Sequence, residues 1–196
     1  MNTKRKAQLT RKTKETEIKV RWKLDGEGKY SIATGIPFFN HMLELFARHG
    51  FFDLEIEARG DTEVDHHHTV EDVGIALGKT LKDALANFEG IRRYGHAVVP
   101  MDEALCSVTI DVSGRPYLAW NGEINGRVGT FDTEVAKEFF LAFAREARVC
   151  LHVNLLYGEN AHHRIEAIFK GFGRALRDAC AKDEYLKGVL STKGVL

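Results

Sequence analysis

Apolar and polar positions along the chain change period several times, and these changes predict short strands that alternate with helices. Residues 16–24 alternate strictly between apolar and polar, which is typical of a strand with one buried face. The pattern predicts strands at 16–24, 29–34 and 52–58 and helices at 38–48 and 67–88. The first helix should end at His49-Gly50, with the glycine as its C-terminal cap. The same order returns as strands at 105–112, 117–121 and 150–155 and helices at 131–145 and 161–181. We therefore expect an α+β fold of two ββαβα-type, ferredoxin-like halves, with helices on one face of an antiparallel or mixed sheet.

The two long helices carry the same motif, which indicates an internal repeat. His67-His68-x-x-Glu71 in the first half corresponds to His162-His163-x-x-Glu166 in the second, and Gly78 corresponds to Gly173 at the same offset. We therefore predict half-repeats at residues 1–92, with a basic arm at 1–14, and at 93–196. They should pack as one unit with pseudo-twofold symmetry.

The repeated motif predicts metal binding. Residues i and i+4 lie on one face of a helix, so each motif forms a histidine–glutamate pair, while His68 and His163 point elsewhere and could serve a second ion. Imidazole and carboxylate ligands suit Mn, Fe, Zn, Co or Ni, and the ligands are too many for one tetrahedral zinc, which favours an octahedral ion such as Mn²⁺. His41 and Glu138 align on the shorter helices and are further candidate ligands. The alternative is two amphipathic helices whose histidines are surface or core residues.

Composition narrows the class of protein. The chain has 28 basic and 28 acidic residues, so no overall charge favours nucleic acid or an anionic membrane. No apolar stretch approaches the roughly 20 residues of a membrane span, and the basic N-terminus lacks the apolar segment of a secretory signal. Three cysteines in unlike contexts are typical of a reducing compartment. We expect a soluble, cytoplasmic protein whose residues 1–14 are a solvated, mobile arm.

Basic residues form a second group of candidates, for anion binding. Arginine suits bidentate contact with phosphate, and the tail Ser191-Thr192-Lys193-Gly194 is small, polar and basic. The candidates are Arg93, Arg115, Lys170 and Lys193, each of which could equally be a solvated surface charge. Glu15 and its counterpart Glu103 have, on sequence physics alone, the pattern of exposed charges at strand ends.

Several ordered motifs resemble the imidazoleglycerol-phosphate dehydratases of histidine biosynthesis along nearly the whole chain. They are RKTKET (11–16), PFFNHML (37–43), DHHHTVED (65–72), RRYG (92–95), PMDEA (100–104), LLYGENAHH (155–163) and STKG (191–194). The resemblance implies two fused halves, a shell of 24 copies, and active sites between subunits that each hold two Mn²⁺ ions.

The resemblance also implies roles for individual residues. His67, Glu71 and His163 would bind one ion, and His68, His162 and Glu166 the other. His41 matches a further family ligand, and Glu138 stands where some members have a ligand histidine. Glu15 matches an acid/base residue that acts beside the metal-bound His67, Glu71, His163 and Glu166. The substrate contacts would be His49 and Lys170, with Arg93, Arg115, Ser191, Thr192 and Lys193 on the phosphate.

The implied reaction is the dehydration of D-erythro-imidazole glycerol phosphate to imidazole acetol phosphate through a Mn-stabilised imidazolate. A hydrogen on a carbon bearing a hydroxyl is not acidic by itself, so a base alone would face a high barrier. The imidazolate would first expel the neighbouring hydroxide, and Glu15 would then remove the proton from the second carbon. The alternatives are a dinuclear metal-dependent phosphate-ester hydrolase and a metal-storing, shell-forming protein.

Overall fold

The computed structural model describes residues 5–195, which form ten strands and four helices. The strands are β1 (Lys6–Lys12), β2 (Thr16–Lys23), β3 (Tyr30–Ala33), β4 (Asp53–Gly60), β5 (Tyr94–Met101), β6 (Ala104–Asp111), β7 (Tyr117–Asn121), β8 (Arg127–Val128), β9 (Phe131–Asp132) and β10 (Cys150–Tyr157). The helices are α1 (Pro37–Gly50), α2 (His67–Leu85), α3 (Val135–Ala147) and α4 (Ala161–Cys180).

Two four-stranded sheets with the same connectivity confirm the predicted duplication. The first sheet has the order β1-β2-β4-β3 and the second has the order β5-β6-β10-β7. In each sheet the last pair is parallel, β3 with β4 and β7 with β10, and the other pairs are antiparallel. The fold is therefore α+β, with mixed sheets and two similar halves. The described part of the chain contains no helix that is long and apolar enough to cross a membrane.

The helices of the two halves pack across the pseudo-twofold relation, α1 against α4 and α2 against α3. Glycines at matching positions of the repeat allow these approaches. A Cβ on Gly78 would lie 2.7 Å from the carbonyl oxygen of Phe143, and a Cβ on Gly173 would lie 2.5 Å from that of Phe46. Real Cβ atoms do not come so close to backbone, so glycine at both positions is required by the helix crossings.

The sequence pattern missed the first strand of each half. Residues 6–12 were expected to belong to a mobile arm but form β1, which pairs with β2 from Lys6–Lys23 to Lys12–Glu17, while residues 1–4 lie outside the described part. β1 is an edge strand without a fully buried position, so its lysine-rich pattern resembles a solvated segment. β5 was missed because Gly95, His96 and Pro100 interrupt its apolar residues.

Helix boundaries also differ from the sequence pattern. α3 begins at Val135 and not at residue 131, because Phe131 and Asp132 form β9, which pairs with β8. α1 includes Gly50, and the C-terminal cap is Phe51, whose backbone is in the left-handed conformation with φ 54°. The Phe51 N–H donates a hydrogen bond to the Arg48 carbonyl oxygen. Gly50 is needed for a different reason from the one expected: a Cβ there would overlap the Phe52 ring.

Candidate active site

Three of the predicted metal ligands meet where α1 packs against α4. His162 and Glu166 lie one turn apart on α4, with 3.1 Å between His162 Nε2 and Glu166 Oε2. His41 reaches the same carboxylate from α1, with 3.7 Å between its Nε2 and Glu166 Oε2. The donor atoms of all three lie within 4.8 Å of one another. Two imidazoles and a carboxylate are a donor set that fits a divalent transition-metal ion.

Electrostatics keeps the Glu166 carboxylate ionised. Burial opposes its ionisation, but the Lys170 ammonium, 2.5 Å from Glu166 Oε1, together with His41 and His162, lowers its pKa. His49 lies beside this cluster, and burial together with the nearby charges of Lys170 and Arg174 lowers its pKa. The predicted substrate contacts His49 and Lys170 therefore stand next to the histidine–carboxylate group.

The start of α4 fixes the second histidine of its motif. The Asn160 side chain caps the helix by accepting hydrogen bonds from the N–H groups of His162 and His163. The His163 ring is bonded through Nδ1 to Glu103 Oε2 at 2.7 Å. This bond, reinforced by backbone N–H groups, lowers the pKa of Glu103 to about 2, and it raises the pKa of His163.

The start of α2 has a related arrangement. The N–H of His67 donates to Asp65 Oδ1 at 2.7 Å, and His68 Nδ1 lies 3.0 Å from Asp61 Oδ2. The hydrogen bond with Asp61 raises the pKa of His68. Glu71 is partly exposed, with its Oε1 3.7 Å from Arg145 of α3.

Not every predicted ligand is brought into a group within one chain. Among the described residues, His41, His162 and Glu166 are the three donors close enough to share an ion. The predicted ligands outside that group are His67, His68, Glu71, Glu138 and His163. Glu138 is half-buried in the first turn of α3.

Sequence reasoning missed the buried residue behind Glu71. Asp72 is 6 % exposed and bonds both the Arg11 guanidinium and the Thr16 hydroxyl. These bonds fix the start of α2 against the turn between β1 and β2. The sequence pattern gives Asp72 no signal of its own, and only the tertiary contact with Arg11 identifies it.

Glu15 occupies that same turn. Its backbone N–H donates to Thr13 Oγ1 at 3.1 Å, and its carbonyl oxygen accepts from Asp61 at 3.2 Å. The side chain is exposed. Its charge is one of those that raise the pKa of His68, after the larger effect of the Asp61 hydrogen bond. Glu15 therefore lies near His68 at the start of α2.

The predicted phosphate contacts converge elsewhere, around Asp111. Arg93 forms a two-bond fork with this carboxylate, at 2.7 and 3.1 Å, and donates its third bond to the Leu190 carbonyl at 2.5 Å. Arg115 lies 3.6 Å from the same carboxylate. The tail continues as a turn, in which Lys193 N–H donates to Ser191 Oγ. Arg93, Arg115 and residues 191–193 are thus held in one corner, with Thr192 and Lys193 exposed.

These features define a duplicated α+β protein with a histidine–carboxylate centre where its two halves meet. The model of the family described as imidazoleglycerol-phosphate dehydratase matches residues 34–176. The Oceanobacillus iheyensis protein named imidazoleglycerol-phosphate dehydratase is 58 % identical over 193 residues, covering 98 % of this chain and all of the relative.

Solved structures agree with the sequence relatives. The enzyme of that name from Staphylococcus aureus has a TM-score of 0.82 at 42 % identity, over 91 % of this chain and 99 % of that one. The structure from Pyrococcus furiosus has a TM-score of 0.84 at 41 % identity, over 96 % and 100 % of the two chains. The chain belongs to the imidazoleglycerol-phosphate dehydratase family and is a hydro-lyase, as its ordered motifs indicated.

Proposed function

We propose that this chain dehydrates imidazole glycerol phosphate to imidazole acetol phosphate in histidine biosynthesis, with Mn²⁺ as its cofactor. The observation that carries the proposal is full-length similarity to relatives of that name, 58 % identical over 193 residues, in a chain that also clusters the predicted ligands His41, His162 and Glu166.

The predicted ligands fit two ions per active site. His67, Glu71 and His163 would hold one, and His68, His162 and Glu166 the other, with His41 and Glu138 as additional ligands. A divalent ion bound there would supply Lewis-acid stabilisation of negative charge on the imidazole ring of the substrate. Because one chain brings only three of these donors together among its described residues, we propose that α2 of a second copy completes the set.

Glu15 would move the proton in this reaction. Loss of water removes the hydroxyl from the carbon next to the ring and a proton from the following carbon, and the resulting enol becomes the ketone. The exposed Glu15 carboxylate, whose charge lies near His68, would accept that proton. Such an acid/base group typically contributes about 10²–10⁴-fold to the rate.

The remaining residues would position the substrate. Arg93, Arg115 and the tail residues Ser191, Thr192 and Lys193 would hold the phosphate, away from the reacting carbons. The Arg93 guanidinium is oriented by its bond to Asp111, and its bond to the Leu190 carbonyl would hold the tail residues next to it. His49 and Lys170, beside Glu166, would contact the substrate near the histidines.

The outer face of the second sheet supports assembly of several copies. Tyr94, Val98 and Tyr117 lie on its strands and are 53, 50 and 62 % exposed. Large apolar side chains on one sheet face are typical of a surface that a further subunit covers. We propose that such contacts build a shell of 24 copies with sites between subunits.

The proposal is tested by stripping the protein of metal and measuring ketone formation from imidazole glycerol phosphate before and after adding Mn²⁺. We expect no turnover in the stripped protein and turnover after Mn²⁺ addition. Folded, assembled protein that forms no ketone in either state would contradict the proposal. Release of inorganic phosphate in the same assay would instead identify a phosphate-ester hydrolase.

A further inference from the structure

Each half of the molecule holds one histidine of its motif by a carboxylate that lies outside the motif. Glu103 Oε2 is 2.7 Å from His163 Nδ1, and Asp61 Oδ2 is 3.0 Å from His68 Nδ1. In both pairs the contact is made through Nδ1, and the acid comes from a loop that follows a strand. Neither Asp61 nor Glu103 is among the ligands or substrate contacts proposed above.

This arrangement selects one form of each imidazole ring. A neutral imidazole carries its proton on one nitrogen, and a carboxylate that accepts at Nδ1 places the proton there. The lone pair is then on Nε2, the form in which a histidine binds metal. Carboxylates in this position orient ligand rings and raise their basicity.

Glu103 is also fixed on its other oxygen. Its Oε1 accepts hydrogen bonds from the N–H groups of Asn160 at 2.8 Å and Glu159 at 3.2 Å. The carboxylate therefore cannot rotate away from His163 without breaking bonds to the loop that begins α4. The Glu103 carboxylate therefore joins the His163 ring to the loop at Glu159 and Asn160, from which α4 begins.

The pseudo-twofold relation makes Glu103 the counterpart of Glu15. Glu103 immediately precedes Ala104, the first residue of β6, and Glu15 immediately precedes Thr16, the first residue of β2. Within residues 5–195, no hydrogen bond is made by the Glu15 carboxylate. Asp61, whose backbone N–H donates to the Glu15 carbonyl, bonds the histidine in the first half instead.

We propose that Asp61 and Glu103 are positioning residues that hold His68 and His163 in the form and orientation for metal binding, and that Asp61 thereby leaves the Glu15 carboxylate free for the substrate. The inference rests on the proposed metal-dependent function. The two halves thus use equivalent positions of the repeat differently. Glu103 binds a ligand histidine in the second half, whereas Glu15 faces the substrate in the first.

The test is Mn²⁺ affinity of the metal-stripped full chain carrying Glu103→Gln or Asp61→Asn. A glutamine replaces one of the two carboxylate oxygens by an NH2 group, which cannot accept, so it cannot keep both the bond to His163 Nδ1 and the bonds to the α4 loop. We expect each variant to bind Mn²⁺ roughly 10–100-fold more weakly than wild type, with the melting temperature of the metal-free protein nearly unchanged. Glu184→Gln, at an exposed position away from the histidines, is the matched control and should bind as wild type does.

The outcomes separate this inference from the proposed function. Wild-type protein that binds no Mn²⁺ overturns both. Wild-type binding with equal affinity in Glu103→Gln and Asp61→Asn overturns the positioning role alone. Glu103 also supports the α4 loop, so Asp61→Asn decides the matter if Glu103→Gln is less stable, because it replaces the charged acceptor of His68 Nδ1 by a neutral amide and leaves the α4 loop untouched. A large fall in metal-free melting temperature in both variants would assign the two acids a structural role and overturn the inference.

Discussion

Charged side chains around the candidate site differ in whether they already form ion pairs or hydrogen bonds with neighbouring residues. Glu166 is paired with Lys170 and both imidazoles, and Arg93 is bound by a fork to Asp111. Glu15 is exposed, and among residues 5–195 its hydrogen bonds are formed by its backbone alone. A carboxylate that no neighbour neutralises is available to a substrate, whereas a paired one mainly orients what it touches. Substitution of the two kinds should therefore have different consequences.

Glu15→Gln should lower turnover by about 10²–10⁴-fold, because the amide cannot accept the proton that the reaction releases. Mn²⁺ affinity should stay as in wild type, since the Glu15 side chain bonds none of the histidines. Steady-state kinetics with the ketone product as readout measures the effect. Glu17→Gln, two residues along, removes an exposed pair with Lys12 and should leave turnover unchanged. Near-normal turnover of Glu15→Gln would refute the assigned role.

Asp111→Asn should lower the free energy of unfolding by about 1–3 kcal/mol, because Arg93, 9 % exposed, loses its charged partner. Denaturant unfolding measures this change. Asp132→Asn breaks an exposed pair with Arg127 and should change stability by less than about 1 kcal/mol. Equal stabilities for the two variants would mean that the fork contributes nothing to the folded state.

At the level of helices and strands, the site depends on how closely α1 approaches α4 and α2 approaches α3. His41 comes from α1 while His162 and Glu166 come from α4, so the donor group exists only if that crossing is tight. The glycines of the repeat make the crossings tight by presenting backbone to backbone. Packing of the core and geometry of the metal ligands are thus set by the same contacts.

Gly78→Ala and Gly173→Ala should each lower the free energy of unfolding by about 1–3 kcal/mol, since the added methyl group meets a carbonyl oxygen that cannot move alone. Gly173→Ala should also weaken Mn²⁺ binding, because it separates α1 from α4. Chemical denaturation and metal titration provide the two readouts. Lys79→Ala, at a half-exposed position beside Gly78, is the control. Wild-type stability in both glycine variants would show that the helices can separate without cost.

The sequence alone predicted those elements whose pattern is strongly amphipathic. The strands β2 and β6 bury alternate residues completely, and the helices α2 and α4 carry the repeated motif, so both were visible in the order of residues. The edge strands β1 and β5 were not visible, because β1 has no fully buried position and the buried face of β5 begins with a glycine and an alanine. The pair β8–β9, with two residues in each strand, is too short to show a pattern, and it moves the start of α3 to Val135.

The candidate ligands could be predicted from the sequence, but the residues that orient those ligands could not. A histidine–glutamate pair at i and i+4 is local, and the His162–Glu166 contact at 3.1 Å follows from helix geometry. The contacts of Asp72 with Arg11 and of Glu103 with His163 join residues far apart in the chain. Local periodicity contains no information about such pairs, so the residues that orient the ligands appear only in three dimensions.

On the scale of the whole molecule, each sheet has one face on the helices and one face open. In the second sheet the open face carries Tyr94, Val98 and Tyr117. The open face of the first sheet instead carries charged pairs such as Arg21–Glu55 and Lys19–Glu57. The two faces therefore differ in what can cover them, which favours apolar contacts between copies on the second sheet.

Val98→Asp should reduce the size of the assembly, because it places a charge at an exposed apolar position on the open face of the second sheet. Light scattering coupled to size-exclusion chromatography measures the mass. Activity should fall with it if active sites lie between copies. Tyr185→Asp, at a position 99 % exposed, is the control and should leave the mass unchanged. A Val98→Asp variant of wild-type mass would exclude this face from the interface.

The N-terminal strand has a practical consequence for work with this protein. Residues before Thr13 resemble a dispensable basic tail and would be a natural place to shorten the chain. Shortening there would remove Arg11, the partner of the buried Asp72, and would uncover the backbone edge of β2 along its length. An uncovered, regular strand edge is a template for aggregation. β1, with its charged lysine side chains, thus covers the edge of β2 and protects it from pairing with another chain. Purification tags should therefore be placed ahead of residue 5 or on another part of the molecule.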